Sequence, residues 1–339
     1  MSLLHIDSFD LYSSASDLGL QYSGVGCSFA PTGGRFGGGA MQIGSYNNFL
    51  VYPVPSPQAE FWMGLAVYCT NPGGGEQPIL GFRSTPGVEG AVNYAPNSAS
   101  FNVRRGSYGT VLGSGSGSIN SSWHWLEVHF KLHGSAGVFE LWLDGQQIVN
   151  AVGVNTAGAG GSAITAIMIG TDGSNNATSG YYDDLYILNT SGATNNGRLG
   201  DCRIEATKPT GDAGPNSGAP LSGSSHYAMV NENRFDGDTS YLTVSNASGQ
   251  EERFNMSSLS GTPAKVMGVK VTNAAKKTDG GSCNVQGKIT SGGAIAVGPS
   301  VGLLTGYSVV GAIFETDPNT SAAWTPAAVN AAQAGFVIP

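Results

Sequence analysis

The chain has 339 residues, of which 11% are charged and 52 are glycine, and its formal net charge is −8. An average soluble protein has about 25% charged residues, so long solvated helices are disfavoured here, and turns and sheets are favoured. Because only 15 residues are Lys or Arg, no basic surface for a phosphate backbone is expected, which excludes nucleic acid as a partner.

The first ten residues, MSLLHIDSFD, contain neither the basic segment nor the long apolar segment of a secretory leader. No later stretch approaches the 18 or so uninterrupted apolar residues of a membrane-spanning helix. We therefore expect neither export by such a leader nor membrane insertion. At roughly 100 to 200 residues per domain, the length favours two domains.

The four cysteines are far apart and show none of the close pairs that usually announce a zinc site. They are Cys27, Cys69, Cys202 and Cys283. In a reducing cytosol we expect them to be buried free thiols, with a disulfide formed after lysis as the alternative.

Short segments in the first half alternate apolar and polar residues, as strands with one face on a core do. The clearest is 123–132, which is apolar at every second position of 126–132, and 138–143 repeats the alternation. Between this second strand and the next, Asp144 and Gly145 form the pair that most readily takes a tight hairpin turn. Further strands are predicted at 59–68, 79–82, 100–103, 146–149, 166–169 and 182–188.

Many short strands without an intervening helical period favour two sheets packed face to face. We predict a first β-sandwich at 1–198 and a second at 199–339. Segment 207–225 has no aromatic residue and is expected to be an exposed loop. Strands of the second domain are predicted at 241–244, 266–271 and 301–304.

One helix is predicted, near the C-terminus. Thr325 can cap it, Pro326 fits its first position, and Gly335 is placed to end it. Residues 336–338 are then expected to return as a strand. The predicted fold class is all-β, with two jelly-roll-like β-sandwich domains and one short C-terminal helix.

Four segments of the first domain carry a resemblance to a known fold. Residues 6–10, 123–128, 140–145 and 182–187 occur in the order and spacing found in such domains. Together they resemble the laminin-G-like, concanavalin A-like jelly roll. This resemblance covers roughly the first 195 residues.

Segments of the second half carry a different resemblance. Residues 199–204, and 314–318 with 323–325 and 329–330, look like tailed-bacteriophage virion structural proteins. The resemblance implies a place on the virion exterior after assembly in the host cytoplasm. It implies no particular ligand and transfers no functional residue.

Glycosidases also use the concanavalin A-like fold, and they need two carboxyl groups about 5 to 9.5 Å apart. Glu140 and Asp144 are roughly 13 Å apart along a strand, and Asp144 is better used in the turn. Glu127 could face Glu140 across the hairpin, but we interpret both as solvent-facing strand positions. His129 and His133 would share a face only on a helix, so no metal site is expected there. We therefore predict no catalytic residue and no enzymatic activity.

Laminin-G-like domains can hold calcium with carboxylates at one rim, which makes four aspartates candidates by resemblance. They are Asp7, Asp10, Asp183 and Asp184. Hard oxygen ligands suit this ion. The interpretation we favour is that these side chains face turns and cap backbone amides, so no cofactor is predicted.

Trp142 alternates with core residues and is expected to point away from the core. It could be a platform for a sugar ring. The interpretation we favour is that it packs under a loop or against a neighbouring subunit.

The expected function is a non-enzymatic structural or accessory protein on the exterior of a tailed phage, as head decoration, neck or collar, or tail component. Its partners would be other virion proteins, attached through the second domain, and further copies of itself, with a trimer preferred. The alternative is a carbohydrate-binding adhesin that attaches to a host surface glycan. A polysaccharide-degrading enzyme ranks third, because no suitable carboxylate pair is found.

Overall fold

The computed structural model describes residues 2–44, 48–70, 75–171 and 179–339. It divides into two compact units, Met1–Ile204 and Glu205–Pro339. Both units are built from packed β-sheets, which confirms the predicted fold class. Where the sequence suggested a boundary between 198 and 199, residues 199–204 belong to the first unit because they are hydrogen-bonded to it.

The first unit contains fourteen strands and one short helix among its described residues. The strands are β1 (Leu3–Asp7), β2 (Ser28–Ala30), β3 (Ala40–Ile43), β4 (Phe49–Gln58), β5 (Glu60–Cys69), β6 (Gln77–Arg83), β7 (Val88–Ala95), β8 (Ser100–Arg105), β9 (Val111–Ser116), β10 (His124–Lys131), β11 (Gly137–Leu143), β12 (Gln146–Val154), β13 (Ile164–Gly170) and β14 (Gly180–Asn189), and the helix is α1 (Ala15–Leu18).

These strands form two antiparallel sheets. The eight-stranded sheet has the order β12-β11-β10-β5-β14-β3-β2, with β1 also paired to β14, and the six-stranded sheet has the order β4-β13-β6-β7-β8-β9. Phe130 of the first sheet stacks on Phe82 of the second, with ring centroids 4.3 Å apart and planes within 7°. The core of the unit therefore lies between the two sheets.

The predicted alternation along β10 and β11 is confirmed, since Leu126, Val128 and Phe130 are fully buried in this core. The predicted turn after β11 is also confirmed. Asp144 has φ 49° and Gly145 has φ 82°, which are the positive angles that a tight hairpin requires.

Several strands of the first unit were not predicted: β1, β2, β3, β4, β7 and β9. β4 contains three prolines, which argue against a central strand, but it lies at the edge of the six-stranded sheet where a missing N–H is tolerated. β7 is nearly continuously buried and so lacks the alternation that marks a strand with one solvent-exposed face. The structure also contains the short helix α1, whereas the sequence predicted only the helix near the C-terminus.

The second unit contains ten strands and one helix. The strands are β15 (Pro209–Asn216), β16 (Ala219–Pro220), β17 (Leu242–Thr243), β18 (Glu251–Met256), β19 (Val269–Ala275), β20 (Asn284–Ser291), β21 (Ala294–Val297), β22 (Val301–Gly302), β23 (Ser308–Phe314) and β24 (Gln333–Val337), and the helix is α2 (Pro326–Ala331). A sheet of order β15-β18-β24-β20-β21, with β22 paired to β20, packs on the β19-β23 pair. Its core includes Ile289, Phe314 and Trp324.

The segment 207–225, expected to be an exposed loop, differs in the structure. β15 pairs with β18, and β16 pairs with β17. β15 lies at the edge of its sheet and is held by backbone hydrogen bonds, so it needs no large apolar side chains. The absence of such side chains misled the sequence-based prediction.

The start of helix α2 is as predicted. The Thr325 hydroxyl accepts a hydrogen bond from the Ala328 amide at 3.1 Å, and Pro326 is the first helical residue. The helix ends at Ala331, however, and Gly335 lies inside β24. A Cβ at Gly335 would meet the Glu252 carbonyl oxygen, so glycine is required there by close strand approach, not by a helix end.

Neither helix found in the described residues has the length and apolar character needed to cross a membrane.

Candidate functional site

The outward surface of the eight-stranded sheet carries most of the polar and aromatic residues singled out above. Across β5, β10 and β11, the register aligns Trp62 with His129 and His129 with Glu140. Because the alternate residues of β10 face the core, this row faces away from it. We call this surface the outer face.

Three aromatic side chains form a half-buried cluster on the outer face, which we call the platform: Trp62, His129 and Trp142. The Trp62 and His129 rings are stacked, with centroids 4.2 Å apart and planes within 5°. Trp142 is tilted by 33° from Trp62 at 5.2 Å. The rings support one another and so have little freedom to rotate.

Two carboxylates hold the His129 ring from either side. Nε2 lies 2.9 Å from Glu60 Oε1, and Nδ1 lies 2.7 Å from Glu140 Oε2. Gln147 Nε2 donates to the other oxygen of Glu140 at 3.0 Å, and Lys131 Nζ lies 3.7 Å from Glu60. Charged and amide groups therefore surround the platform at fixed positions.

A ring nitrogen of His129 donates to a carboxylate only where it carries a proton, because an ionised carboxylate can only accept. The neutral ring has one donor and one acceptor, and the doubly protonated ring has two donors. Glu60 and Glu140, one at each ring nitrogen, fix the orientation of His129. Groups of these types can also transfer protons in catalysis.

Beside the platform, a segment of residues 198–204 crosses the outer face, and we call it the strap. Its anchor is Glu127, which accepts hydrogen bonds from the Gly200 amide at 2.8 Å, from Arg198 at 3.0 Å and from the Tyr186 hydroxyl at 2.7 Å. Glu127 is fully buried. The expectation that it faces solvent is therefore wrong, because the strap covers it.

A glycine under the strap makes this packing feasible. A Cβ at Gly64 would lie 2.3 Å from the Tyr186 ring and 2.8 Å from the Trp125 ring. With no side chain there, both rings lie directly over β5. Burial and the neighbouring Glu127 carboxylate raise the pKa of Tyr186 well above its usual value, so its hydroxyl remains a donor to Glu127.

Two aspartates in a bulge of β14 hold the C-terminal half of the strap, Asp184 directly and Asp183 through Arg35. The Ile204 amide donates to Asp184 at 2.6 Å, and the Arg35 amide donates to Asp183 at 2.7 Å. The Arg35 guanidinium forms two hydrogen bonds to Asp201 of the strap, at 2.6 and 2.7 Å. Burial, together with the adjacent Asp184, raises the pKa of Asp183 to about 8, and burial raises that of Asp184 to about 6.

The structure does not join the four calcium candidates in one site. Asp7 accepts hydrogen bonds from the hydroxyls of Tyr12 and Tyr22 and belongs to a separate buried cluster. Asp10 accepts from the Gly39 amide. Within the described ranges, no three His, Cys, Asp or Glu side chains are arranged to hold a metal ion. Each of the four carboxylates accepts at least one hydrogen bond from the protein itself.

Trp142 points away from the core and is half-buried, packed on Trp62 and with the Arg198 guanidinium 5.6 Å from its ring centroid. Glu140 and Asp144 lie in different hydrogen-bonded groups, because Asp144 bonds to His124. The sequence did not single out Trp62, Glu60 or Glu140 as partners of His129. The sequence indicated which residues of 59–68 point outward, but it did not indicate that this strand pairs with β10.

No protein-family model matches the chain, and no curated protein sequence matches it. Similar solved structures include alginate lyase Aly36B, with 14% identity and a TM-score of 0.38 over 54% of this chain and 95% of that one. A Trypanosoma rangeli sialidase has 15% identity and a TM-score of 0.35, over 48% of this chain and 27% of the sialidase. Carbohydrate binding module CBM66 from Bacillus subtilis has 13% identity and a TM-score of 0.33, over 50% of this chain and 96% of the module.

These comparisons contradict the expected phage structural role and the exclusion of an enzyme. The similar structures are two carbohydrate-active enzymes and a carbohydrate-binding module. Their identities and TM-scores are low, so no activity is transferred from them to this chain. A function must therefore be argued from the geometry of the outer face.

The first prediction concerns the anchor of the strap. In Glu127→Ala, the Tyr186 hydroxyl and the Gly200 amide lose their buried acceptor, and we expect the free energy of unfolding of the first unit to fall by about 3 kcal/mol. Hydrogen exchange at the Gly200 amide should accelerate. Ser114→Ala is the control, expected to cost under about 1 kcal/mol because it removes only a solvent-exposed hydrogen bond to Asn102 on the six-stranded sheet. Unchanged exchange at Gly200 in Glu127→Ala would contradict this role.

The second prediction concerns Asp183, whose pKa is about 8 in the folded chain and about 3.9 when unfolded. Folding therefore takes up a proton between about pH 4 and pH 8, so this group's contribution to stability falls as pH rises through that window. The difference in free energy of unfolding between wild type and Asp183→Asn should become less favourable to wild type over the same range.

Denaturant titrations followed by tryptophan fluorescence would test this, since four of the five tryptophans lie in the first unit. Asp279→Asn, in the second unit, is the matched control and should leave the pH profile unchanged. A pH-independent difference between wild type and Asp183→Asn would show that Asp183 is ionised throughout.

Proposed function

We propose that the first unit binds carbohydrate on the outer face, with Trp62 and Trp142 as its main contacts. The observation that supports this most directly is the platform itself: three half-buried rings stacked on one another and surrounded by polar groups. A pyranose ring has one apolar face, which packs on an indole, and hydroxyls at its edge, which need hydrogen-bonding partners.

The polar groups around the platform suit those hydroxyls. Glu60 and Glu140 have side chains 28% and 17% exposed, so a ligand can reach them, and ionised carboxylates can accept several hydrogen bonds. Lys131 and Gln147 add donors. Because His129 is already fixed by both carboxylates, little side-chain entropy is lost on binding.

The third prediction tests the platform directly. Trp62→Ala and Trp142→Ala should each weaken binding to a glycan identified on a carbohydrate array by about tenfold or more, because each removes an aromatic contact surface. Affinity electrophoresis in gels containing that glycan would measure the loss. Tyr108→Ala is the matched control, since Tyr108 is a 54% exposed aromatic residue outside the eight-stranded sheet.

Two results would count against the proposal. One is equal binding by wild type and both tryptophan variants. The other is a loss of binding in Tyr108→Ala as large as in the tryptophan variants, which would place the contact on the other sheet. Circular dichroism of each variant should confirm that the fold is retained.

A second candidate function, cleavage of the bound glycan, is favoured by one observation. His129 lies between two carboxylates directly beneath the ring of Trp62, so acid and base groups are adjacent to the proposed sugar contact. General acid and base catalysis uses groups of these types. Glu60 and Glu140, which lie on β5 and β11, are thus brought to the same histidine of β10.

The fourth prediction separates cleavage from binding. If the chain cleaves its glycan, wild type should release new chain ends, and His129→Gln should reduce that rate by about 100-fold or more while weakening binding far less. A reducing-end assay and absorbance of unsaturated products would detect hydrolysis and elimination respectively. Binding without product release by wild type would exclude this second candidate.

A further inference from the structure

We infer that the platform takes neutral, hydroxyl-rich polysaccharides and disfavours polymers of uronic or sialic acids. This inference rests on the proposed carbohydrate binding and adds the class of ligand. The observation behind it is the placement of charge around the platform.

Carboxylates near the platform at least balance the cations. Glu60, Glu140 and the strap anchor Glu127 carry three negative charges, while Lys131 and Arg198 carry two positive ones. His129 adds at most one positive charge. The local charge is therefore zero when His129 is protonated and negative when it is neutral, and in neither case is it positive.

The cations here are also engaged with carboxylates. Lys131 lies 3.7 Å from Glu60, and Arg198 lies 3.0 Å from Glu127. A uronate or sialate carboxylate would compete with these internal partners for the two cations and would approach the Glu60 and Glu140 carboxylates. Competition and like-charge repulsion both oppose its binding.

The hydrogen-bonding capacity of the site points the same way. Glu60 and Glu140 are partly exposed, and each carboxylate has capacity to accept further hydrogen bonds, which hydroxyl groups of a neutral sugar can donate. A ligand carboxylate has only acceptors to offer when ionised. The formal net charge of −8 on the whole chain adds a long-range repulsion against polyanions at low salt.

The fifth prediction is a direct comparison of the two ligand classes with the full chain. Affinity electrophoresis would use gels with soluble β-glucan or galactomannan as neutral polymers, and gels with alginate, polygalacturonate or polysialic acid as anionic ones. We expect retention by at least one neutral polymer, changing less than about twofold between about 0.05 and 0.5 M NaCl, since screening has little effect on uncharged ligands. Retention by the anionic polymers should be at least about tenfold weaker at about 0.05 M NaCl.

Two charge variants sharpen the comparison. Glu60→Gln and Glu140→Gln keep the shape of each side chain and remove its charge. Each should lower the ratio of neutral to anionic affinity by about two- to fivefold, because one like charge facing an anionic ligand is gone. Glu205→Gln, in the second unit, is the matched control and should leave the ratio unchanged.

The outcomes distinguish this inference from the proposed function. Salt-sensitive binding to an anionic polymer that is at least as tight as binding to any neutral polymer, and that is lost in Trp62→Ala, would retain carbohydrate binding and overturn the ligand class. Anionic binding that persists in Trp62→Ala but disappears in Arg203→Ala would place the contact on the exposed end of the strap and overturn both. No retention by any polymer of either class would likewise overturn both.

Discussion

The buried carboxylate of Glu127 is the interaction on which the outer face depends. Burying an ionised group costs several kcal/mol unless donors replace its water, and Tyr186, Gly200 and Arg198 supply three. Satisfying Glu127 therefore requires the strap to cross the sheet. Once it does, the middle of the face is covered, and the row containing Trp62 and His129 remains accessible beside it.

Gly64 of β5 determines which part of the outer face is covered by other side chains of the protein. Over Gly64 the rings of Trp125 and Tyr186 occupy the space of the missing side chain, and the strap covers them. Two residues earlier, the Trp62 side chain occupies the corresponding space and stacks on the His129 ring. Gly64 and Trp62 lie on the same face of β5 because alternate residues of a strand share a face. At Gly64 that face is covered by the protein itself, and at Trp62 it carries an aromatic ring that contributes to the platform.

The sequence could predict features that depend on neighbouring residues: the alternation of β10 and β11, the Asp144–Gly145 turn and the cap at Thr325. It also placed Trp142 on the outward side. It could not predict the contacts of His129, because Glu60 comes from a strand almost seventy residues away whose register is set by the whole sheet. Burial of Glu127 was missed for the same reason, since the strap that covers it follows about seventy residues later.

The geometry of His129 also ranks the two candidate functions. Both of its ring nitrogens are bonded to carboxylates, so neither is directed at a ligand above the platform. Transfer of a proton to or from a sugar would first require one of these bonds to break. Stacking of a sugar on Trp62 or Trp142 requires no such change, since those rings are already fixed and partly exposed. The resting arrangement is complete for binding and incomplete for catalysis, which places carbohydrate binding first.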